Sequence, residues 1–394
     1  MKILMIAPEP CFEPRGTPFS VFHRCTALGK LGHTVDLVTY HLGEEKNILN
    51  VNIHRIPKVP FINHIKIGPS FTKIPLDFFV FFKTLILAMK NNYDCVHAHE
   101  EAALMGCFIK ILFKIPFVYD MHSSIPQQLS NFNFTHNKYL IGIAQYFENF
   151  IIQHSDAVIV ICPHLEQTIH SIDEQKYIQL IENTPLSDSY CVVSQDAVKL
   201  LRCQLHLENV SVILYTGTLE SYQGIDLLLS CIPLVLEKYP STKFVLIGGE
   251  HLQINSFKNL AKSIHIENHV LFIGQRPSDE MPLYMEMADV LVSPRNTGTN
   301  TPLKIYSYMK SGKPIVATNL LTHTQVLDNQ VAVLADPESQ SFADGIIQVL
   351  SNRQFAETLG RNARNLADSK YSYDAFLAKT EKIYNYLSSL RRTC

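Results

Sequence analysis

LVSPRNTGTNTPLKIYSYMKSGKPIVAT, residues Leu291–Thr318, carries the reading that decides the fold. Leu291–Ser293 closes an apolar strand, and Arg295–Asn300 is a loop of small hydroxyl and amide residues. Thr301 stands where an N-cap belongs and Pro302 where a first helical residue belongs, since the N–H that proline lacks has no partner there in any case. Gly312 stops the helix, Pro314 blocks its continuation, and Ile315–Thr318 is the next buried strand. A helix N-terminus at a strand's carboxyl end, with Lys304 in the first turn, makes an anion site. A lysine there opposes the helix dipole, which a bound phosphate would offset. The same pattern alone is also ordinary α/β packing, so the rest of the chain decides.

Short apolar, β-branched runs alternate with amphipathic helical segments along the whole length. Ile3–Ala7, Thr34–Tyr40, Val51–Ile56, Cys95–Ala98, Phe117–Asp120 and Ala157–Ile161 are the expected strands of a first half. Val212–Thr216, Lys243–Ile247, Val270–Ile273, Val290–Ser293, Ile315–Thr318 and Val331–Leu334 are those of a second. Continuous apolar strands separated by helices indicate parallel sheets buried on both faces. The expected fold is therefore α/β, with two Rossmann-like, doubly wound domains. They span residues 1–183 and 197–370, joined by an aperiodic linker at 184–196. The last segment, 371–394, holds an amphipathic helix longer than the second sheet needs, expected to cross back to the first domain.

Length supports two domains, because 394 residues exceed one comfortable core. A formal net charge of −2 leaves no basic footprint for nucleic acid. Nine scattered cysteines, odd in number and without C-x-x-C, read as buried thiols in a reducing cytoplasm. The start, MKILMIAPEP, is a first strand and too short for a secretory core. Pro75–Met89, PLDFFVFFKTLILAM, is shorter than the ~20 residues of a membrane span and is interrupted by Asp77 and Lys83. It reads as a buried helix. The alternative is a helix lying on the inner membrane surface, since Lys66, Lys73, Lys83 and Lys90 surround its aromatic cluster.

Ligands of open parallel sheets bind beyond the carboxyl ends of the strands, which selects a few loops. After the first strand, Gly16 and Thr17 precede the helix Phe19–Leu31 without G-x-G-x-x-G, so no dinucleotide fingerprint is present. His122 follows the strand Phe117–Asp120. His97 and His99 fall on one side of an extended chain, but no third ligand follows at a metal spacing, and no D-x-D occurs to clamp a metal–nucleotide complex. No metal and no cofactor is expected, and His99 and Glu100 are candidates for the acceptor side. In YTGTLESYQGIDLLL, Gly217 and Gly224 bracket a loop that is no P-loop. Gln275 and Arg276, past another strand end, are candidates to hold a nucleobase through backbone groups.

In order, YTGTLESYQGIDLLL, FVLIGGE, VLFIG, MADVLVSP and PLKIYSYMKSGKPIVAT resemble the retaining nucleotide-sugar glycosyltransferases of family 4, with the GT-B fold. KLGHTVDLVT, DCVHAH, YDMHS and HSDAVIVICPHL extend the likeness over the first half. The resemblance implies a nucleotide sugar held by the second domain, a saccharide or lipid-linked acceptor held by the first, and closure across a crevice. It further implies metal-independent transfer with retention, as in cell-surface polysaccharide or lipopolysaccharide assembly. By the same resemblance Gly16 approaches the pyrophosphate-sugar, His122 matches the family's cleft histidine, and Arg295–Thr301 with the helix beyond receives the diphosphate. The family's usual Arg and Lys are replaced by Thr218 and Gln223, and its pair of glutamates by Thr299 and Ser307. Charge-assisted hydrogen bonds are roughly twice as strong as neutral ones, so Asn300, Thr301 and Lys304 are expected to carry more of the donor's charge than usual. Two other readings stay open: a catalytically silent binding module, and another GT-B enzyme such as a sugar-nucleotide epimerase.

Overall fold

The computed structural model describes residues 1–13, 16–65, 70–131, 137–182 and 193–391. Lys66, residues 184–192 of the expected linker, Cys191 and Cys394 lie outside the described residues. The chain divides into two compact units, Met1–Asn183 with Asp374–Cys394, and Thr184–Tyr373.

The first unit is built on β1 (Lys2–Ala7), β2 (Thr34–Thr39), β3 (Val51–Arg55), β4 (Cys95–His99), β5 (Phe117–Met121), β6 (Ala157–Val160) and β7 (Ile178–Leu180). These pair in parallel in the order β3-β2-β1-β4-β5-β6-β7. The second unit holds β8 (Ser211–Thr216), β9 (Thr242–Ile247), β10 (Val270–Gly274), β11 (Val290–Ser293), β12 (Ile315–Thr318) and β13 (Val333–Ala335). Its parallel order is β10-β9-β8-β11-β12-β13. Each sheet therefore reverses direction once, between β1 and β4 in one unit and between β8 and β11 in the other. That reversal leaves a crevice outside the strand ends.

All twelve expected strands are present, their ends displaced by no more than two residues. Burial on both faces is the reason: all but the first residue of β1, KILMIA, is buried, and all of β11 and β12. Each buried Ile, Leu or Val contributes about 1.5–3 kcal/mol over its exposed state. The missed strand, β7, is a half-buried edge of three residues, IQL, too short to show an apolar run. The helix Tyr373–Arg391 packs in the first unit. There Tyr384 reaches His97, Phe376 lies under the Arg24 guanidinium, and Lys379 pairs with Glu182.

One helix departs from its expected burial. The helix Lys73–Lys90 is not a buried helix: Leu76, Val80, Thr84 and Ala88 face the core, while Phe78, Phe79, Phe82, Ile86 and Met89 are exposed. A continuous apolar run hides this, because the helix is apolar on both faces. The seven described cysteines are free thiols, and Cys203 alone among them is exposed.

Candidate functional site

The second unit's crossing point joins two loops, residues 217–224 after β8 and 294–302 after β11. They touch backbone to backbone. Gly224 has φ +69°, and a Cβ there would lie 2.0 Å from the Pro294 carbonyl oxygen, so only glycine admits the approach. Asn296 closes the junction, donating its backbone N–H to the Tyr222 carbonyl at 3.2 Å and its side-chain amide to that of Ser221 at 3.1 Å.

The helix beyond is Leu303–Ser311. Its N-cap is Pro302, whose ψ of 134° is extended, so the expected boundary moves by one residue and Thr301 does not cap. The Thr301 hydroxyl is instead buried without a hydrogen-bond partner. Gly312, at φ +73°, ends the helix as expected. Gly360 of the helix Arg353–Lys370 packs directly against that turn.

Lys304 leaves the first turn and lies over the Tyr215 ring, 3.8 Å from its centroid. Its ammonium donates to Gln223 Oε1 at 3.3 Å, and Gln223 Nε2 donates to Thr218 Oγ1 at 3.3 Å. Tyr215 in turn donates to the Thr218 carbonyl at 2.6 Å. Lys304 is thereby gathered with the two residues that replace the family's usual cations. Arg295 sits above Tyr222, 5.0 Å from the ring centroid. It holds the Asn300 carbonyl at 2.6 Å and Thr322 Oγ1 at 2.8 Å through Nη1, while its Nε is buried and unpartnered. Among the described residues neither cation makes an ion pair. Burial, and then the like charge of Arg295, hold the Lys304 amine well below its usual range, and burial lowers Arg295 too. Two desolvated cations without a carboxylate form a place where an anion is stabilised.

The other predicted residues of this unit are less central. Gly217 lies against the Tyr215 ring, with its missing Cβ position 3.4 Å from Lys304 Nζ. The Thr299 carbonyl accepts from Gln325 Nε2 at 2.7 Å, and Ser307 lies one turn beyond Lys304 on the helix. Gln275 and Arg276 are exposed just past β10, two strands away from the crossing point.

In the first unit the carboxyl ends of β4 and β5 carry a buried histidine cluster around Asp120. Arg24 Nε donates to Asp120 Oδ2 at 3.0 Å. His97 Nε2 is 3.1 Å from the same oxygen and its Nδ1 is 2.5 Å from Tyr384 Oη. His99 Nδ1 is 3.0 Å from His122 Nε2, which is 3.3 Å from Asp120 Oδ1. Burial raises the Asp120 carboxyl, but Arg24 and then the histidines outweigh it and hold it well below the usual range. Burial pushes His122 down to about 4, and lowers His97 and His99 as well, so all three rings are neutral at pH 7.

Neutral rings fix the proton positions by their partners. His97 donates from Nε2 to Asp120 and accepts the Tyr384 hydroxyl proton at Nδ1. His99 Nε2 is buried without a partner. His99 Nδ1 and His122 Nε2 share one hydrogen bond, in which one ring donates and the other accepts. Atoms of His97, His99 and Asp120 that could ligate a metal lie within 4.8 Å of one another. Arg24 already occupies Asp120, so a second cation there would meet a guanidinium.

Glu100, half of the candidate acceptor pair with His99, has φ +48° and accepts from Ser123 Oγ at 3.1 Å. Burial, then Glu101, raise its carboxyl well above the usual range. Gly16 begins the helix Gly16–Lys30 and is exposed, with Thr17 beside it; residues 14 and 15 lie outside the described residues.

Sequence reasoning missed Tyr215, Tyr222 and His323. Tyr215 is the fifth residue of a buried strand and reads as core. His323 bridges β11 and β12, with Nε2 2.9 Å from Ser293 Oγ and Nδ1 2.9 Å from the Thr318 carbonyl. Only the spatial pairing of those strands reveals it.

Comparison with known proteins reports on the same two halves. The profile of the Glycosyltransferase Family 4 domain matches residues 14–184, and that described as Glycosyl transferases group 1 matches 199–366. An uncharacterized glycosyltransferase of Methanocaldococcus jannaschii is 24% identical, over 98% of each chain. Sucrose-phosphate synthase from Thermosynechococcus elongatus superposes with a TM-score of 0.80 at 19% identity, over 99% of each chain. Anabaena HepE in complex with UDP-glucose superposes with a TM-score of 0.75 at 19% identity, over 99% of this chain and 100% of that one. With both halves matched in order on two doubly wound sheets, the chain belongs to the group 1, family 4 glycosyltransferases and is a transferase of the GT-B fold.

Proposed function

We propose that the chain transfers a sugar from a nucleotide-diphosphate sugar to a saccharide or lipid-linked acceptor, without a metal and with retention at the anomeric carbon. The acceptor belongs to cell-surface polysaccharide or lipopolysaccharide assembly. The observation that carries this reading is the Lys304–Arg295 pair, two desolvated cations without a carboxylate at the second sheet's crossing point. A departing nucleoside diphosphate gains negative charge as the glycosidic bond to it breaks. Fixed cations and backbone N–H groups at a helix start stabilise that charge at no cost in reorganisation. They do the work a divalent ion does elsewhere.

The first donor to test is UDP-glucose, which the Anabaena structure holds. His122 enters the reaction as a neutral ring that hydrogen-bonds a sugar hydroxyl, and no protonated histidine is needed. Titration calorimetry of wild type and Lys304→Ala with UDP and with uridine tests the anion site. The variant should bind UDP more weakly by about 1.5–3 kcal/mol, as for a lost bond to a charged group, and uridine equally well. Equal losses for both ligands, or none, would remove the site. NMR of the product anomer then tests retention, and an inverted product would reject it. A silent binding module would bind UDP-glucose with no turnover against any saccharide or lipid-linked acceptor.

A further inference from the structure

Three helices of the first unit lie side by side: Lys73–Lys90, Ala103–Phe113 and Lys138–His154. Phe81 of the first meets Phe108 of the second at 5.3 Å between ring centroids. Each buries one stripe against the sheet and leaves a second apolar stripe outside. Phe78 is 58% exposed on the first helix, Ile111 is 64% exposed on the second and Tyr146 is 67% exposed on the third. Ile74, Phe82 and Met89 extend the face at one side, and Leu140 and Ile143 at the other. Single exposed apolar residues are ordinary, but a contiguous face of large aromatic and aliphatic side chains marks an interaction site.

The charges say what covers it. These helices contain two carboxylates, and both point inward. Asp77 accepts from the buried Tyr40 hydroxyl at 2.5 Å, and Glu148 is fully buried, holding Ser124 Oγ at 2.9 Å and the Ile125 N–H at 2.7 Å. Lys73 and Lys110 are paired to Glu101 and Asp156, whereas Lys90, Lys114 and Lys138 are exposed, Lys83 is half-exposed, and these four make no ion pair among the described residues. The outer face is thus apolar with four unpaired lysines, and the partly exposed acid at its cavity, Glu101, is paired to Lys73. A second protein would have to supply both a broad apolar patch and a ring of carboxylates. An anionic lipid surface supplies acyl chains beneath phosphates everywhere. Tyrosines at such a face, here Tyr139 and Tyr146, suit the headgroup level, where one end is apolar and the other wet. No helix among the described residues is long and apolar enough to cross a membrane, so the helices would lie along the surface.

We propose that this three-helix face docks the protein on an anionic lipid bilayer. An apolar cavity of about 340 Å³ opens within the same face between Leu104, Ile125, Leu129, Ile143 and Phe147. It lies beside the carboxyl ends of β4 and β5 and admits a lipid chain next to Glu101. The docking stands apart from the transfer chemistry and needs no donor.

Co-sedimentation of the full chain with vesicles tests it. Binding should be strong to mixed phosphatidylcholine–phosphatidylglycerol vesicles, weak to phosphatidylcholine alone, and should fall with salt. The triple change Phe78→Ser, Ile111→Ser and Tyr146→Ser should reduce partitioning at least about ten-fold with an unaltered unfolding midpoint, since all three side chains are exposed. Lys114→Gln and Lys138→Gln should each reduce it by about five-fold on the anionic vesicles only, which keeps the test open if the triple variant fails to fold. Equal binding to both vesicle types, or binding untouched by either set, would overturn the proposal. So would a concentration-dependent dimer in solution that the triple change dissolves, because the face would then belong to a second copy.

Discussion

The two units place cations at the carboxyl ends of their sheets in opposite ways. In the first, Arg24 is fully buried and paired to Asp120 at 3.0 Å, with three neutral histidines arranged around the carboxylate. In the second, Lys304 and Arg295 are drawn together without any acid; burial lowers both, and the charge of Arg295 lowers Lys304 further. The first cluster balances its charge without a ligand and sets the orientation of rings. The second is incomplete without one. Charge balance, more than residue type, separates a positioning cluster from a binding site. The opposite signs expected of the two when a cation is removed make the contrast testable.

The largest effect should come from Arg24→Met. Removing one member of a buried pair leaves Asp120 charged and unpaired, which costs about 3–5 kcal/mol. Urea unfolding at pH 7.5 measures it. A cost below that of an ordinary surface substitution would mean that Asp120 is held by the histidines alone, and the first cluster would lose its claim to balance.

Acidification should follow with up to about 3 kcal/mol for His122. The unfolded ring takes up a proton near 6.5, whereas the folded one resists until about 4. Between those values the unfolded state binds more protons, so stability falls as the pH is lowered from about 6.5 towards 4 and is recovered above it. His97, His99 and His323 are shifted the same way by burial and should add to the slope. His122→Gln should flatten the difference in urea midpoint between pH 7.5 and pH 5. In a turnover assay the same variant should lose activity far more than UDP affinity.

The strands were legible because parallel sheets buried on both faces leave long apolar runs, as in VILYT of β8 and IVAT of β12. The second unit's loop and helix were legible through proline and glycine, whose backbone limits are local. What depended on position in space was not. Thr301 looked like a cap because capping is a local pattern, but ψ at Pro302 shifts the helix start and leaves its hydroxyl buried without a partner. The helix Lys73–Lys90 looked buried because hydropathy counts residues and not the face they occupy. Tyr215 and His323 carry no local signal at all. Their roles arise where strands distant in sequence become neighbours.

Lys304→Met should sharpen the contrast with a smaller effect of opposite sign. It removes a desolvated charge that has no carboxylate, keeps the stem packed over Tyr215, and should raise the stability of the unliganded protein by about 1 kcal/mol. The folded amine lies below its unfolded value of 10.5. The unfolded state therefore binds more protons between the two, and unliganded stability rises with pH through that window. A diphosphate stabilises the charged amine, so UDP affinity should fall as the pH rises through that window. Lys304→Met should abolish that dependence. A destabilised variant would place Lys304 with Arg24 as a structural cation.

Thr301→Val asks the finest question, whether the incomplete cluster reserves single polar atoms as well as charges. The Thr301 hydroxyl is buried and unpartnered, and a buried hydroxyl without a hydrogen bond costs about 1–3 kcal/mol in mutational series. Valine keeps the shape and removes the polar atom, although its methyl recovers only part of that penalty where a cavity edge is loose. The unliganded protein should therefore gain about 0.5–1 kcal/mol in thermal or urea unfolding. If the hydroxyl is kept for the donor, UDP-glucose should bind more weakly by a similar amount, because a net neutral hydrogen bond is worth about 0.5–1.5 kcal/mol. Stability and affinity would move in opposite directions, as they do for Lys304 on a larger scale. A gain in stability with unchanged affinity would leave Thr301 as a packing residue and confine the site to its cations and backbone. A loss in stability would mean that the hydroxyl is already satisfied by water in the free protein.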